Sequence, residues 1–404
     1  MKKIIFCFII FFSFISPIYA EEFDLYSDNV LFYNLEEDKI MYEKNADEKV
    51  SIASLTKVIS AMVMIDLIND YDKKIDFDNV DFNFLRNEDL SISSLDKNKT
   101  YTYRDFIYSF IMESSADCGY ALVLDICDST DEFVKLMNNK AKELGMNSSK
   151  FSNPIGLDDI NNYSTMNDLL ILMKASLNNS LLKTIMSTFE YEISDGSVIH
   201  HTIYYYMDHF DLNMPYLKGG KTGYNDDPGF TFMGYGNMNN STYIFVSSNA
   251  TYDYNNPKHL KDAAKLFNYY FKNYGYQKLL EKDDIVLRLD TLYAKEDFAN
   301  IRIDQDVTMF LNSNYDSDKI KTVYNGIEVI KPSYEEGKYL GKLTVYYDNE
   351  VVSIIDIYLT NSVSLSLINF ISYHKFIVIA IVCYSFIISS TWIIVRKIKK
   401  RKFK

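Results

Sequence analysis

Cysteine is scarce in this chain of 404 residues, which has four. Cys7 and Cys383 fall inside the two strongly apolar ends, leaving Cys118 and Cys127 for everything between them. On one helix their spacing corresponds to about 13.5 Å, too far for a disulfide. Both are therefore expected as buried thiols, and a disulfide-stapled scaffold is excluded. Histidine is nearly as rare, with five. His200, His201 and His209 lie close together, but no Cys, Asp or Glu completes a ligand spacing around them, so neither metal nor cofactor is expected. Positive charge is also short, with 42 Lys and Arg against 55 Asp and Glu, a net charge of −13. All the acid lies from Glu21 onward and before the C-terminal apolar run, whereas Lys2, Lys3 and a basic tail lie outside that region. The middle of the chain is thus more acidic than the total, which excludes nucleic acid as a partner and general attraction to anionic lipid head groups.

With 48% hydrophobic residues the chain is not disordered and is long enough for two or three domains. Lys2 and Lys3, the apolar run Ile4 to Ile15, and Ile18-Tyr19-Ala20 before Glu21 read as a secretory signal over residues 1–20. Phe376 to Val395 is long enough to cross about 30 Å of hydrocarbon. Arg396, Lys397, Lys399, Lys400, Arg401, Lys402 and Lys404 follow at once. The positive-inside rule places this tail in the cytoplasm and the preceding chain outside, giving a single-pass membrane protein.

Between the ends, Val30 to Leu35 and Ile40 to Glu43 read as a hairpin, and an apolar stripe from Leu55 to Leu67 as a buried helix. Tyr71 to Lys99 is polar and irregular. Thr102-Tyr103-Arg104-Asp105 is a capping box for a helix through Met112, and a second helix is expected over Cys118 to Cys127. A third opens at Ser129 and closes at Gly145, and a fourth runs from Ser164-Thr165 to about Leu177. Val198-Ile199, Thr202 to Tyr206, Phe230 to Met233 and Thr242 to Ser247 are strand-like, and a final helix covers Pro257 to Tyr274. Strands, helices, strands and a last helix describe an α/β sandwich with a helical insert. Residues 276–360 hold only strand-like runs, a separate small β domain. The expected boundaries are a catalytic domain at 21–275, that β domain, a linker at 361–375, the span at 376–395 and the tail at 396–404.

Ser54 and Lys57 stand one helical turn apart at the start of the Leu55 helix, so they share a face on a rigid element. A serine hydroxyl becomes a nucleophile when a neighbouring base takes its proton, and a lysine can do so if burial or another cation lowers its pKa. The spacing alone is weak, because Ser94/Lys97, Ser180/Lys183 and Ser372/Lys375 repeat it. Lys221-Thr222-Gly223 occurs once, on or beside a strand. It offers a second cation, a hydroxyl for a substrate carboxylate, and a small residue where a substrate backbone can lie close.

Tyr42-Glu43-Lys44-Asn45-Ala46-Asp47-Glu48, Ala53-Ser54-Leu55-Thr56-Lys57, Ser114-Ser115-Ala116-Asp117, Asn153-Pro154-Ile155-Gly156-Leu157-Asp158 and Gly220-Lys221-Thr222-Gly223-Tyr224 follow one another in this order. In them the chain, from about Asp28 to Tyr274, resembles the penicillin-binding serine D-alanyl-D-alanine carboxypeptidases of low molecular mass. The resemblance implies a sandwich like that of the penicillin-recognising serine transpeptidases and β-lactamases, with a small β domain and a membrane anchor behind it. It further implies that Ser54 forms an acyl-enzyme, that Lys57 accepts its proton, and that Ser114 relays a proton to the departing D-alanine. Lys221 and Thr222 would hold the substrate's terminal carboxylate, beside Gly223, and the N–H groups of Ser54 and Tyr224 would form the oxyanion hole. The implied partners are peptidoglycan stem peptides, with β-lactam antibiotics as inhibitors.

Two departures stand out. Ala116 replaces the asparagine of the family's Ser-x-Asn motif, and Ile155 replaces the histidine of Asn-Pro-His-Gly. The first keeps open a catalytically degenerate, peptidoglycan-binding or scaffolding member; a β-lactamase is disfavoured by the anchor and the β domain.

Overall fold

The computed structural model describes residues 22–402, apart from 128, 226–228, 252 and 254. The expected signal at residues 1–20 lies outside them. The chain divides into two compact units, one up to Lys272 and one from Asn273 onward.

The first unit is built on an antiparallel sheet of five strands, β1 (Ser27–Asn34), β2 (Lys39–Lys44), β3 (Leu217–Asn225), β4 (Gly229–Met238) and β5 (Ser241–Ala250), in the order β2-β1-β5-β4-β3. The N-terminal hairpin thus pairs with strands from the far end of the unit, Phe32 opposite Phe245 and Ser27 opposite Ala250. Side chains alternate across a strand, and here both faces are covered. Leu31, Tyr33, Met233, Tyr235, Ile244 and Val246 enter a core shared with the helical insert. Phe32, Phe245 and Tyr243 turn the other way, onto Phe267, Tyr270 and Phe271 of the last helix of the unit.

The helices of this unit are α1 (Thr56–Leu67), α2 (Tyr103–Met112), α3 (Ala116–Ile126), α4 (Thr130–Leu144), α5 (Met166–Asn178), α6 (Ser180–Ser187), α7 (Thr202–His209) and α8 (Lys258–Asn273). Their ends follow local chemistry. The Thr102/Asp105 capping box opens α2 with both reciprocal bonds. Ser129 caps α4, which stops at Gly145 in the left-handed region at φ 91°. Thr165 accepts the Asp168 N–H at the start of α5.

Three local expectations need correction. Thr202 to Tyr206 is not a strand but the first turns of α7, capped by His201, whose Nδ1 accepts from the Ile203 N–H at 3.2 Å. The irregular stretch before Lys99 contains a short helix, Phe82–Asn87, whose first turn donates to the Asp81 carboxylate. Cys118 is buried as expected, but Cys127, just beyond the end of α3, is only half-buried.

The second unit carries strands from Tyr274–Leu280 to Glu350–Tyr358, arranged in small sheets of two or three strands. Its core includes Leu289, Ile301, Leu343, Val345, Ile355 and Ile357. Within the stretch read as a linker, Leu367–Tyr373 forms a short helix, followed by α9 (Lys375–Lys402). Among the described residues one helix segment, Lys375–Ile398, is long and apolar enough to cross a membrane.

Candidate active site

Ser54 lies in a single 3-10 turn, Ala53–Leu55, directly before α1. The turn is tight. Ala53 has φ 47°, in the left-handed region that alanine rarely occupies. The loop at Gly156 presses against it, so that a Cβ on Gly156 would stand 2.1 Å from the Ala53 carbonyl oxygen. That loop is held by Asn153, whose Oδ1 accepts from the N–H groups of Gly156 at 2.8 Å and Leu157 at 2.9 Å. It is also held by Ser60 on α1, which donates to the Pro154 carbonyl at 2.6 Å. Ile155 is fully buried in the helical core. The residue standing where the family has histidine is therefore a packing residue here.

One turn into α1, Lys57 is 1% exposed. Its Nζ donates to Ser54 Oγ at 2.7 Å and to Ser114 Oγ at 3.2 Å. Burial penalises the ammonium and pushes the Lys57 pKa down to about 7, with the Asp117 carboxylate opposing the shift. Near neutral pH a large fraction of Lys57 is thus a free amine within reach of the serine proton. Ser114 sits in the turn between α2 and α3 at φ 62°, a strained conformation that carries its hydroxyl to Lys57. Asp117 is buried and accepts from Ser93 N at 2.9 Å and Ser93 Oγ at 2.5 Å. Burial raises its carboxyl pKa while the Ser93 bonds restrain the rise.

Strand β3 forms the opposite wall. Lys221 is completely buried and donates to the Thr222 carbonyl at 2.7 Å. Burial, and then the nearby Lys57, push its pKa well below the usual lysine range. The Thr222 hydroxyl lies 3.4 Å from that of Thr202. At Gly223 a Cβ would stand 2.9 Å from Ser54 N and 2.5 Å from Thr231 Oγ1. The close approach that this glycine permits is therefore to the Ser54 turn itself, besides any substrate.

Ser54, Lys57, Tyr224 and Asn225 line a cavity of about 230 Å³ together with Leu157 and Asp158. The remaining wall is the segment from Glu88 to Ser91 together with Gly156. Ala116 does not reach this space. It is fully buried at the start of α3, and its N–H donates to the Ser91 carbonyl at 2.7 Å. Asp117 likewise faces Ser93, so neither residue presents an amide or carboxylate to the cavity in place of the missing asparagine. The other Ser-x-x-Lys pairs contribute nothing to the cavity. A larger open groove of about 990 Å³ beside α7, lined by Phe189, Tyr204 and Asp211, contains none of the residues of this site.

The structure thus brings Ser54 and Ser114 each into contact with Lys57 and sets the Lys221-Thr222-Gly223-Tyr224 strand against them. The histidines go elsewhere: His201 is a buried, neutral helix cap with a pKa pushed down to about 3 by burial, and His200 pairs with Glu190 at 3.3 Å. The sequence reading missed the Glu88–Ser91 wall and Asn225. Glu88 to Ser91 lies in a polar stretch without periodicity, where no local signal marks a wall.

Residues 17–251 match the family model for D-alanyl-D-alanine carboxypeptidase, peptidase S11, and residues 274–364 match that for the C-terminal domain of penicillin-binding protein 5. The chain is 23% identical over 329 residues to the D-alanyl-D-alanine carboxypeptidase DacF of Bacillus subtilis, covering 78% of this chain and 80% of that protein. It is 26% identical over 254 residues to the D-alanyl-D-alanine endopeptidase of Escherichia coli, covering 61% and 78%. Penicillin binding protein 5 from Haemophilus influenzae has a similar fold, with a TM-score of 0.59 at 19% identity over 85% of this chain and 99% of that one. Penicillin-binding protein D2 from Listeria monocytogenes, in its ampicillin-bound form, gives a TM-score of 0.52 at 25% identity over 61% of this chain and 98% of that one. With the family match running from the first strand to the end of β5, the chain belongs to the peptidase S11 family and is a D-alanyl-D-alanine carboxypeptidase.

Proposed function

We propose that this enzyme removes the terminal D-alanine from peptidoglycan stem peptides through an acyl intermediate on Ser54. The observation that carries the proposal is the 2.7 Å contact between a buried Lys57 amine and Ser54 Oγ. As Oγ attacks the carbonyl between the two D-alanines, the neutral Lys57 amine takes its proton. The oxyanion forms against the N–H groups of Ser54 and Tyr224, donors whose placement costs no reorganisation during reaction. Ser114, in contact with Lys57, passes the proton to the departing amine as the C–N bond breaks. Water then attacks the ester, returning Oγ its proton and releasing the shortened peptide. A substrate carboxylate at Thr222 would restore the charge on Lys221, which burial disfavours in the empty site.

The ampicillin-bound form of the Listeria protein supports the reading that this chain, too, binds β-lactams, which on the proposed mechanism would acylate Ser54. The apolar helix at Lys375–Ile398 with its basic end supports membrane anchoring, with the catalytic unit outside the cytoplasm. A degenerate member that binds without turnover rests on Ala116 alone, and the complete Ser54, Lys57 and Ser114 contact set weighs against it.

The test is D-alanine release from a peptide ending in D-Ala-D-Ala, together with mass spectrometry of the penicillin adduct. Activity and a label on Ser54, both lost in Ser54→Ala, are expected. A label on another serine would overturn the mechanism.

A further inference from the structure

Thr202 stands outside the set of residues that the mechanism uses, yet its Oγ1 lies 3.4 Å from Thr222 Oγ1. Thr222 is almost closed over, whereas Thr202 is half-buried. It opens onto a cavity of about 500 Å³ shared with Ile92, Ser94, Glu113 and His200, separate from the cavity lined by Ser54 and Lys57.

The position of this hydroxyl is fixed by its neighbours. His201 N donates to the Phe189 carbonyl at 3.0 Å, and the fully buried His201 ring accepts from Ile203 N–H at 3.2 Å. Tyr204 OH donates to the Lys218 carbonyl at 3.3 Å, which ties the first turn of α7 to the strand that carries Thr222. A group held in this way loses little freedom when a ligand arrives.

Its place along the site follows from β3. Tyr224 and Asn225 line the cavity at Ser54, Gly223 packs on the Ser54 turn, and Thr222 comes one residue earlier, with Thr202 beside it. A peptide with its reacting carbonyl at Ser54 and its terminal carboxylate at Thr222 therefore ends against Thr202.

Few charged groups are at hand for that carboxylate. Arg86 and Arg104 are the arginines of the first unit, and neither lines the cavity at Ser54 or the one at Thr202. The bidentate guanidinium clamp that often holds a carboxylate is thus missing from both linings. Lys221 is completely buried and directs its amine to the Thr222 carbonyl, so direct contact with the anion falls to hydroxyls. Glu113, the acid in the Thr202 cavity, has its two oxygens taken by Ser109 Oγ at 2.6 Å and Ser94 N at 3.3 Å.

We propose that Thr202 supplies a second hydroxyl to the substrate's terminal carboxylate beside that of Thr222, and so sets the selectivity for substrates that end in a free carboxylate. This rests on the acyl-Ser54 reading. The two hydroxyls that face each other in the free enzyme both turn their protons to the anion, where each bond is charge-assisted.

The experiment uses two N-acetyl-D-alanyl thioesters, one of thioglycolate and one of its methyl ester. They differ in the carboxylate alone, and the thiol leaves readily from either. The quantity read is the ratio of kcat/KM for the acid to that for the ester. Thr202→Val replaces the hydroxyl by a methyl of similar shape, and the ratio is expected to fall about tenfold, the scale of one lost hydrogen bond to a charged group. Thr202→Ser keeps the hydroxyl and should hold the ratio within about twofold of wild type. An unchanged ratio in folded Thr202→Val, including an equal loss on both thioesters, overturns the proposal and leaves Thr202 a packing residue. A ratio lost to the same extent in Thr202→Ser overturns it as well, because the methyl rather than the hydroxyl is then what matters. Should Thr202→Val fail to fold, Thr202→Ala carries the same comparison. A benzylpenicillin adduct on wild-type Ser54 is the internal control: with it present these outcomes bear on Thr202 alone, whereas its absence overturns the serine reading beneath.

Discussion

The N–H of Ala116 donates to the carbonyl of Ser91 at 2.7 Å, which ties the residue that breaks the Ser-x-Asn motif to the segment walling the active-site cavity. Ala116 is completely buried by this arrangement, and its small side chain lets the wall close on the start of α3. The place of the missing asparagine is thus closed packing against the wall rather than an open site.

Ala116→Asn is therefore expected to lower activity, not restore it. Forcing a larger polar side chain into a closed core costs about 1–3 kcal/mol, and here it would displace Ser91 and its neighbours. Thermal unfolding and kcat/KM on a D-Ala-D-Ala peptide check this together. A variant with unchanged stability and raised turnover would show that the amide's place is open after all.

The pH profile follows from Lys57. In the proposed mechanism its neutral form is the base, and its pKa is pushed down to about 7, so acylation of Ser54 by benzylpenicillin should rise with pH through about 7 and level off above it. The Asp117 carboxylate stabilises the ammonium form and opposes that downward shift. Asp117→Asn should move the rising limb to lower pH. A limb that stays in place or moves up would show that Asp117 acts only through its Ser93 bonds.

What was legible in the sequence was whatever a few neighbouring residues decide. Ser54 and Lys57 meet because one helical turn separates them, and Thr102/Asp105, Ser129 and Gly145 mark helix ends by bonds made within the same turn. Thr202 to Tyr206 was misread because its β-rich composition says nothing of the His201 cap that starts α7. The Glu88–Ser91 wall was invisible for a different reason: its end at Ser91 is held by Ala116, and Ser93 and Ser94 just beyond it by Asp117 and Glu113, which lie on another part of the chain. Ala116 read as a lost function in the motif, and only tertiary packing shows it as the seat of that wall.

Gly156→Ala tests the Ser54 turn. The new Cβ would stand 2.1 Å from the Ala53 oxygen, and the residue would have to keep φ +82°, strained for any side chain. The turn must shift, carrying Ser54 N–H away from its place opposite Gly223. Acylation is expected to slow by about 10²-fold, the scale seen when an oxyanion donor is lost, while the melting temperature falls modestly. Normal acylation in a folded variant would show that the turn tolerates the shift.

The last prediction concerns the C-terminal end. Ending the chain after Ser364 removes the helix Leu367–Tyr373 and α9, and with them the apolar segment Lys375–Ile398. The truncated protein is expected in the soluble fraction, with benzylpenicillin still acylating Ser54, because every residue of that site lies in the first unit. The cut also removes the bridge between Ala294 and Leu365 and the bond from Asn369 Nδ2 to the Ala294 carbonyl at 2.7 Å. The bonds from Ser366 N to the Tyr293 carbonyl and between His374 and the Tyr293 hydroxyl go as well, so the second unit should melt earlier, by the loss of three hydrogen bonds at about 1 kcal/mol each. Fractionation before and after a high-salt wash, with calorimetry of the soluble form, reads both effects. Retention on membranes through the wash would mean that attachment lies outside the removed residues, since salt strips electrostatic association but leaves inserted apolar segments in place.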